Sequence, residues 1–420
     1  MSLDVNISEP DEFNCIELHG VLNDVAKLKS IDDFRYHVDL ISGKGESYVA
    51  NTFRVTITDV GNEGNVVNVI VKTLVNTERQ ILFHKLHERE VAVYKHIVPV
   101  FNKIHDNKNN KLGNKIVLPE CLLSCAETKK EVIILEDLIE DGWSPDVRQS
   151  LHEELDYTKV HTVMTALANF HALSFIFEKF YPEEFVEVKS QFQDLLYDDN
   201  FLSKTKLVNY MFDSYDSSLK LVNDVEAKEK LSVIKPKILD ILRAYTKPGK
   251  YNVLCHGDCW INNMLFKHRR DKSTRVCFID FQAVRYASPV TDIIYFLYLC
   301  TNSRFRSEHF VKLKSEYYDT LKSTLTLYEL DVNSLYPIED FEKEINDAMQ
   351  YGLIIAMVEL KVVNTLLEDE VMVEEGDILP ETTVHEMLDE TDLLQTKIND
   401  VVQEAVKNGV LDKLLNKITK

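Results

Sequence analysis

Two short stretches hold residue types that phosphoryl transfer requires. Residues 255–266 read CHGDCWINNMLF and residues 276–282 read VCFIDFQ. Moving a phosphoryl group takes a carboxylate to orient or deprotonate the attacking hydroxyl. It also takes hard oxygen ligands for the Mg²⁺ that neutralises the phosphates. Asp258 suits the first task, and Asn263 and Asp280 suit the second. If 263–266 opens a strand and 276–279 closes a returning one, with KHRRDKST as the turn, a hairpin brings all three to one end. Either stretch alone reads as an ordinary turn or strand end; in this order they read as a site.

The N-terminal third adds a second pair. Lys72 lies in NVVNVIVKTLV, on the strand face shared with Ile70 and Leu74. Such a lysine usually sits at a sheet edge or snorkels to water. The helix that follows argues otherwise. Its apolar stripe runs Leu82, Leu86, Val93, Ile97, and Glu90 falls on that stripe, with Glu88 and Glu78 further from its centre. A carboxylate on an inward face needs a charged or hydrogen-bonding partner, and Lys72 is the natural one.

The elements that must position these residues follow from the hydrophobic pattern. Tyr48 to Thr58 and Val66 to Val75 are β-rich runs separated by GNEGN at 61–65. A helix is expected from about Glu78 to Val98, stopping at Pro99. Ile116 to Ser124 and Glu131 to Leu138 read as further strands. From about Leu155 the spacing is helical: Thr158 to Lys179, much of Phe192 to Tyr245, Glu342 to Val363, and one amphipathic segment from Thr383 to Thr419. One β-like island, Val253 to Gln282, interrupts it. The expectation is an α+β protein of two lobes: a small β-rich lobe with one helix at 1–138 and a larger, mainly helical lobe at 139–420.

Composition narrows the partners. A formal charge of −21 repels phosphate backbones and anionic lipid heads, which argues against nucleic acid or a membrane surface. No signal peptide is read in the first residues, and the apolar runs Ile293 to Cys300 and Leu353 to Val358 are too short to span a bilayer. Seven cysteines without zinc-finger spacing read as reduced thiols in a cytoplasmic protein. His84, His87 and His96 read as surface or boundary residues.

HGDCWINN followed by IDFQ resembles the catalytic loop and metal-binding segment of the kinase-like phosphotransferases, which include aminoglycoside phosphotransferases and choline kinases. Trp260 and the Phe-Gln after Asp280 look most like the ecdysteroid kinase-like family, also called CHK-like kinases. That resemblance implies a two-lobed protein-kinase-like fold, ATP and Mg²⁺ as cofactors, and phosphorylation of a hydroxylated small molecule, with a steroid-type acceptor such as an ecdysteroid. It implies Asp258 as the base, Asn263 and Asp280 as metal ligands, and Lys72, held by Glu90, on the α- and β-phosphates. Gly43 and Gly45, in SGKGESYVA, stand where a nucleotide-covering loop belongs, with Tyr48 in place of a third glycine and Ser47 as a hydrogen-bond donor; an ordinary turn reads nearly as well. The backbone of Glu136, Asp137 and Leu138 resembles the hinge that pairs with adenine. His256 would shape the loop and Trp260 would pack. Asp292 resembles a structural aspartate opening a buried helix, where an N-cap role fits equally. A choline- or aminoglycoside-type kinase and an inactive pseudokinase remain the alternatives. His-Gly-Asp in place of His-Arg-Asp, and the lack of an Ala-Pro-Glu segment, argue against a protein kinase.

Overall fold

The computed structural model describes residues 18–41, 50–74, 80–107, 116–145, 155–205, 207–270, 273–369 and 382–419. The chain divides into two compact units. One comprises Met1–Pro99, Val117–Ser144 and Ile279–Gln282; the other comprises Val100–Ile116, Pro145–Phe278 and Ala283–Lys420.

The first unit is built on five antiparallel strands: β1 (Phe34–Leu40), β2 (Ala50–Asp59), β3 (Val66–Leu74), β4 (Cys121–Cys125) and β5 (Val132–Glu136). Their spatial order is β1-β2-β3-β5-β4. Strand pleating sends alternate side chains to opposite faces. Phe53, Val55 and Ile57, Val69 and Val71, and Val132 and Ile134 all go to one face and are buried there. The helix Leu18–Leu28 covers that face with Leu22, Val25 and Ala26. Each such side chain contributes about 1.5–3 kcal/mol when fully buried. The GNEGN segment makes the β2–β3 turn, with Asp59 Oδ1 accepting from the Gly61 amide at 2.8 Å and the Asn62 amide at 3.2 Å.

The helix after β3 does not stop at Pro99. Gln80–Ala92 passes through a π-helical turn, Val93–Ile97, and resumes as Val98–Asn107. Pro99 is the second residue of the resumed segment, where the wider turn leaves its missing N–H without cost.

The second unit is helical around a small β island. Its long helices are Tyr157–Phe180, Ser303–Leu327 and Ile338–Asp369, with the apolar Val290–Cys300 among them. Asp156 caps the first, accepting from the Lys159 amide at 2.8 Å. Tyr157–Phe180 is long and apolar enough to cross a membrane by length and composition, but 78% of its most apolar window is buried inside the protein. Gly352 lets two helices touch, because a Cβ there would lie 2.7 Å from the Tyr298 ring and 2.8 Å from Ile294. The single C-terminal helix expected from the pattern is two, Thr382–Lys407 and Val410–Thr419. Gly409, at φ +66°, supplies the left-handed residue that ends the first. In the island, Met264–His268 pairs antiparallel with Thr274–Phe278, and Met264 stands opposite Phe278. Asn263 therefore enters the hairpin at the end where the chain leaves it towards Asp280.

Candidate active site

In the first unit, Lys72, Glu90 and Asp280 form one ionic group. Lys72 lies on β3, on the sheet face opposite to the buried Val69 and Val71. Its Nζ donates to Glu90 Oε2 at 2.7 Å and to Asp280 Oδ1 at 3.0 Å. Glu90 is as buried as Leu86 and Val93, its apolar neighbours on the helix stripe. Burial works against the charge on Lys72, but the Asp280 and Glu90 carboxylates outweigh it and hold the ammonium well above the ordinary lysine range. Burial pushes the Glu90 carboxyl upward, and the Lys72 charge opposes it. Asp280 takes a left-handed φ of 63°, a conformation that costs a non-glycine residue about 1–3 kcal/mol and is found where function demands it. Gln282 Nε2 donates to its Oδ2 at 3.0 Å. Tyr94, from the π-helical turn, meets the Phe281 ring edge-on at 5.9 Å.

In the second unit, Asp258 sits in the loop between Val253–Cys255 and the hairpin. Asn263 Nδ2 donates to Asp258 Oδ2 and to its backbone carbonyl, both at 2.9 Å. The Tyr295 hydroxyl donates to Asp258 Oδ1 at 2.9 Å. The carboxylate is thus held at both oxygens. Gly257 has φ +84°, and a Cβ there would meet the Ala283 carbonyl oxygen at 2.0 Å, so only glycine fits between His256 and Asp258.

Asp292 ties this loop down. Its Oδ2 accepts from the His256 amide at 2.6 Å and its Oδ1 from the Gly257 amide at 2.9 Å. His171 lies 3.1 Å from Oδ2 and, on its other ring nitrogen, 2.7 Å from the Tyr317 hydroxyl. Burial disfavours the Asp292 charge, yet His171, His256 and the Gly257 amide together keep its carboxyl below the usual range. The N-cap role for Asp292 is not the one observed: it is the third residue of Val290–Cys300, and Pro289 stands at the cap. His171, Cys255 and Asp292 offer ligand atoms within 4.8 Å of one another. Burial pushes the Cys255 thiol up, and Asp292 is already taken by hydrogen bonds, so the trio satisfies itself as a buried network.

His256 shapes the loop from a fully buried position, with Nδ1 accepting from the Asp258 amide at 3.3 Å. Asp137 is committed internally: its Oδ2 pairs with Arg54 Nε at 2.6 Å and its Oδ1 accepts from the Ile139 amide at 3.0 Å. The Glu136 amide donates to the Glu120 carbonyl, and the Leu138 carbonyl accepts from Asp141 and Trp143. Gly43 and Gly45, with Ser47 and Tyr48, lie outside the described residues. His87 is not a surface residue: it is buried, 2.9 Å from the Cys125 carbonyl, and burial pushes its imidazole down to about 4. The sequence reading missed Tyr295 and Glu359, both in electrostatic reach of Asp258. It also missed Arg285, buried on the strand beside this loop.

Each of the two expected metal residues, taken within its own unit, keeps an oxygen suited to a hard divalent cation. Both hydrogen bonds made by the Asn263 side chain come from Nδ2, which leaves its carbonyl oxygen without a protein donor among the described residues. The Asp280 carboxylate is partly exposed, and each oxygen accepts only one hydrogen bond among those resolved. Amide and carboxylate oxygens are the ligands Mg²⁺ prefers.

A small antiparallel-sheet unit carrying a buried lysine–glutamate pair, and a larger helical unit carrying a glycine-pinned aspartate loop, define an α+β protein of the two-lobed kinase-like class. The chain belongs to the ecdysteroid kinase-like family, whose model matches residues 44–330. That is a family of small-molecule kinase-like proteins. No curated protein sequence matches the chain. Among solved structures it is similar to an ethanolamine kinase of Plasmodium vivax, at 13% identity over 80% of this chain and 82% of that one, with a TM-score of 0.37. It is similar to the choline kinase LicA of Streptococcus pneumoniae, at 12% identity over 91% and 99% of the two chains, with a TM-score of 0.34. It is also similar to a GDP complex of the wild-type aminoglycoside 2'-phosphotransferase-IIIa, at 12% identity over 91% and 99%, with a TM-score of 0.40.

Proposed function

We propose that this protein transfers the γ-phosphoryl group of ATP to a hydroxyl of a small organic acceptor. The observation that carries the reading is the Asp258 carboxylate, held at one oxygen by Asn263 and at the other by Tyr295, in a loop fixed by Asp292. Such a carboxylate can accept the acceptor's hydroxyl hydrogen and set the direction of its oxygen. The acceptor oxygen then bonds to the γ-phosphorus, and the bond from that phosphorus to the β,γ-bridging oxygen breaks. ADP leaves with the electron pair, and the hydroxyl proton passes to Asp258. Lys72, fixed by Glu90, is assigned to the nucleotide phosphates. Asn263 and Asp280 are assigned to Mg²⁺, which would neutralise the phosphate charge. The backbone of Glu136 to Leu138 is assigned to adenine. The same reading places the protein in the cytoplasm as a further expectation, on cysteines spread along the chain without pairing spacing.

The family name suggests an ecdysteroid or other steroid-like acceptor. A cationic acceptor of the choline or aminoglycoside type is the second reading. The test is ATP consumption with Mg²⁺ across hydroxylated small molecules, sterols and amino alcohols included, with Asp258→Asn alongside. Acceptor-dependent turnover that the variant loses supports the proposal; turnover that survives Asp258→Asn removes Asp258 from the mechanism.

A further inference from the structure

The sheet of the first unit has one face packed in its core and one that is partly exposed. On the second face lie Thr52, Arg54 and Thr56 of β2 and Asn68, Ile70 and Lys72 of β3, all half-buried. The register sets them in rows, because directly opposed residues of an antiparallel pair point the same way. Thr52 stands opposite Lys72, Arg54 opposite Ile70, and Thr56 opposite Asn68. On β5, Ile133 continues the Lys72 row and Leu135 continues the Ile70 row, both buried. Arg54 therefore stands one row from Lys72, about 7 Å along the strand, on the side of the Glu136–Leu138 segment.

The Arg54 side chain reaches that segment. Its Nε donates to Asp137 Oδ2 at 2.6 Å, and Asp137 Oδ1 already accepts from the Ile139 amide. The row beyond is closed on itself: the Thr56 hydroxyl donates to Asn68 Oδ1 at 2.7 Å, and Asn68 Nδ2 donates to Glu140. The Arg54 row is not closed. A guanidinium carries five N–H donors in one rigid plane, and the bond to Asp137 fixes that plane while using only one of them. Nη2 is buried and has no hydrogen-bond partner among the described residues. With 32% of the side chain exposed, the group borders solvent rather than core, within reach of a ligand on this face. A staple between β2 and the chain after β5 needs Nε alone. A buried N–H of an ionised group that finds no acceptor is costly, so Nη2 calls for an acceptor that arrives with a ligand.

Resting on the kinase reading above, which assigns Lys72 to the phosphates and the Glu136–Leu138 backbone to adenine, we propose that Arg54 is a nucleotide-binding residue whose Nη2 donates to a ring nitrogen of the purine. The test is calorimetric binding to the full chain, without an acceptor and without turnover. The probes are ADP and its 1-, 3- and 7-deaza analogues, each with one acceptor nitrogen of the ring replaced by C–H. The proposal expects one analogue to bind wild type about tenfold or more weakly than ADP, which is about 1.4 kcal/mol. In Arg54→Met that difference disappears, because its donor is gone, while any difference shown by the other analogues remains. Arg54→Lys, which can keep the ion pair with Asp137 but lacks the planar fork, guards against a loss of fold and loses the difference as well. A role confined to stapling the sheet weakens ADP and all three analogues by one common factor. That result, the lack of any weakened analogue in wild type, or a difference that survives in Arg54→Met overturns the proposal. The kinase reading is judged separately, by transfer from ATP to alcohols. Discrimination through Arg54 without transfer upholds Arg54 and counts against the kinase reading. Transfer by a wild type indifferent to the deaza substitutions does the reverse, and a wild type that binds no ADP counts against both.

Discussion

The Tyr295 hydroxyl donates to Oδ1 of Asp258 at 2.9 Å, across 37 residues of sequence, and completes a carboxylate clamp that Asn263 begins at Oδ2. A hydrogen bond to a charged group contributes about 1.5–3 kcal/mol. Tyr295→Phe removes it and little else. The expected result is a kcat lower by about 10- to 100-fold with an unchanged KM for ATP, read from steady-state kinetics. A KM for ATP that rises as far as kcat falls would mean Tyr295 acts on something other than Asp258.

Lys72 neutralises two carboxylates at once, so its loss leaves both unpaired. Lys72→Met is expected to cost about 3–5 kcal/mol in urea unfolding. Adding Glu90→Gln removes one of the stranded charges and returns part of that stability. Additive losses in the double variant would contradict the pairing.

Gly257 and Gly409 both have positive φ, +84° and +66°, but only Gly257 faces a wall. Gly409→Ala meets open space and should cost about 1 kcal/mol for its backbone alone. Gly257→Ala must also displace the Ala283 carbonyl, so it should cost several times as much and abolish turnover. Equal melting shifts for the two variants would refute this account of the loop.

Two groups with shifted protonation impose opposite pH dependences on stability. Glu359 is raised from 4.5 to about 7 by burial and by Asp258. Between those values the folded chain holds a proton that the unfolded chain has lost, so stability falls as pH rises through this window. Glu359→Gln should therefore gain on wild type from pH 4 to pH 8, by of order 1–3 kcal/mol. His87 is lowered from 6.5 to about 4 by burial. There the unfolded chain takes up the proton first, so stability is lost as pH falls from 6.5 towards 4. His87→Gln should flatten that acid limb, measured by thermal melts across pH.

The sequence carried those parts of the site whose partners are near in the chain or share an element's period. Asp258 and Asn263 are five residues apart in one loop, and the hairpin follows from two short β-rich runs around a charged turn. Glu90 stood out because a carboxylate on an apolar helix stripe has to be paired, and Lys72 lies on the preceding strand. β1 was missed, although Tyr36 and Val38 alternate with Arg35, His37 and Asp39 as a half-buried strand does. Tyr295 and Glu359 were not readable. Tyr295 sits in a uniformly apolar helix and Glu359 in an apolar stretch of a longer one, where periodicity cannot tell the one partly exposed position from those that face the core. His87 was misread for a related reason, because its burial depends on β4 rather than on its own helix. Pro99 is a stop signal in a regular helix, and a π-helical turn ahead of it has no sequence signature strong enough to cancel that.

The central claim is that Asp258 serves phosphoryl transfer from ATP to a hydroxyl, and product analysis tests it most directly. Wild-type protein and Asp258→Asn are incubated with γ-labelled ATP, Mg²⁺ and a broad panel of small alcohols, and the label is followed into organic phosphate ester. The account predicts label in at least one alcohol with wild type, none with Asp258→Asn, and none when Mg²⁺ is chelated. Label transfer that persists undiminished in Asp258→Asn, or ATP binding with no transfer to any alcohol by wild type, would contradict it.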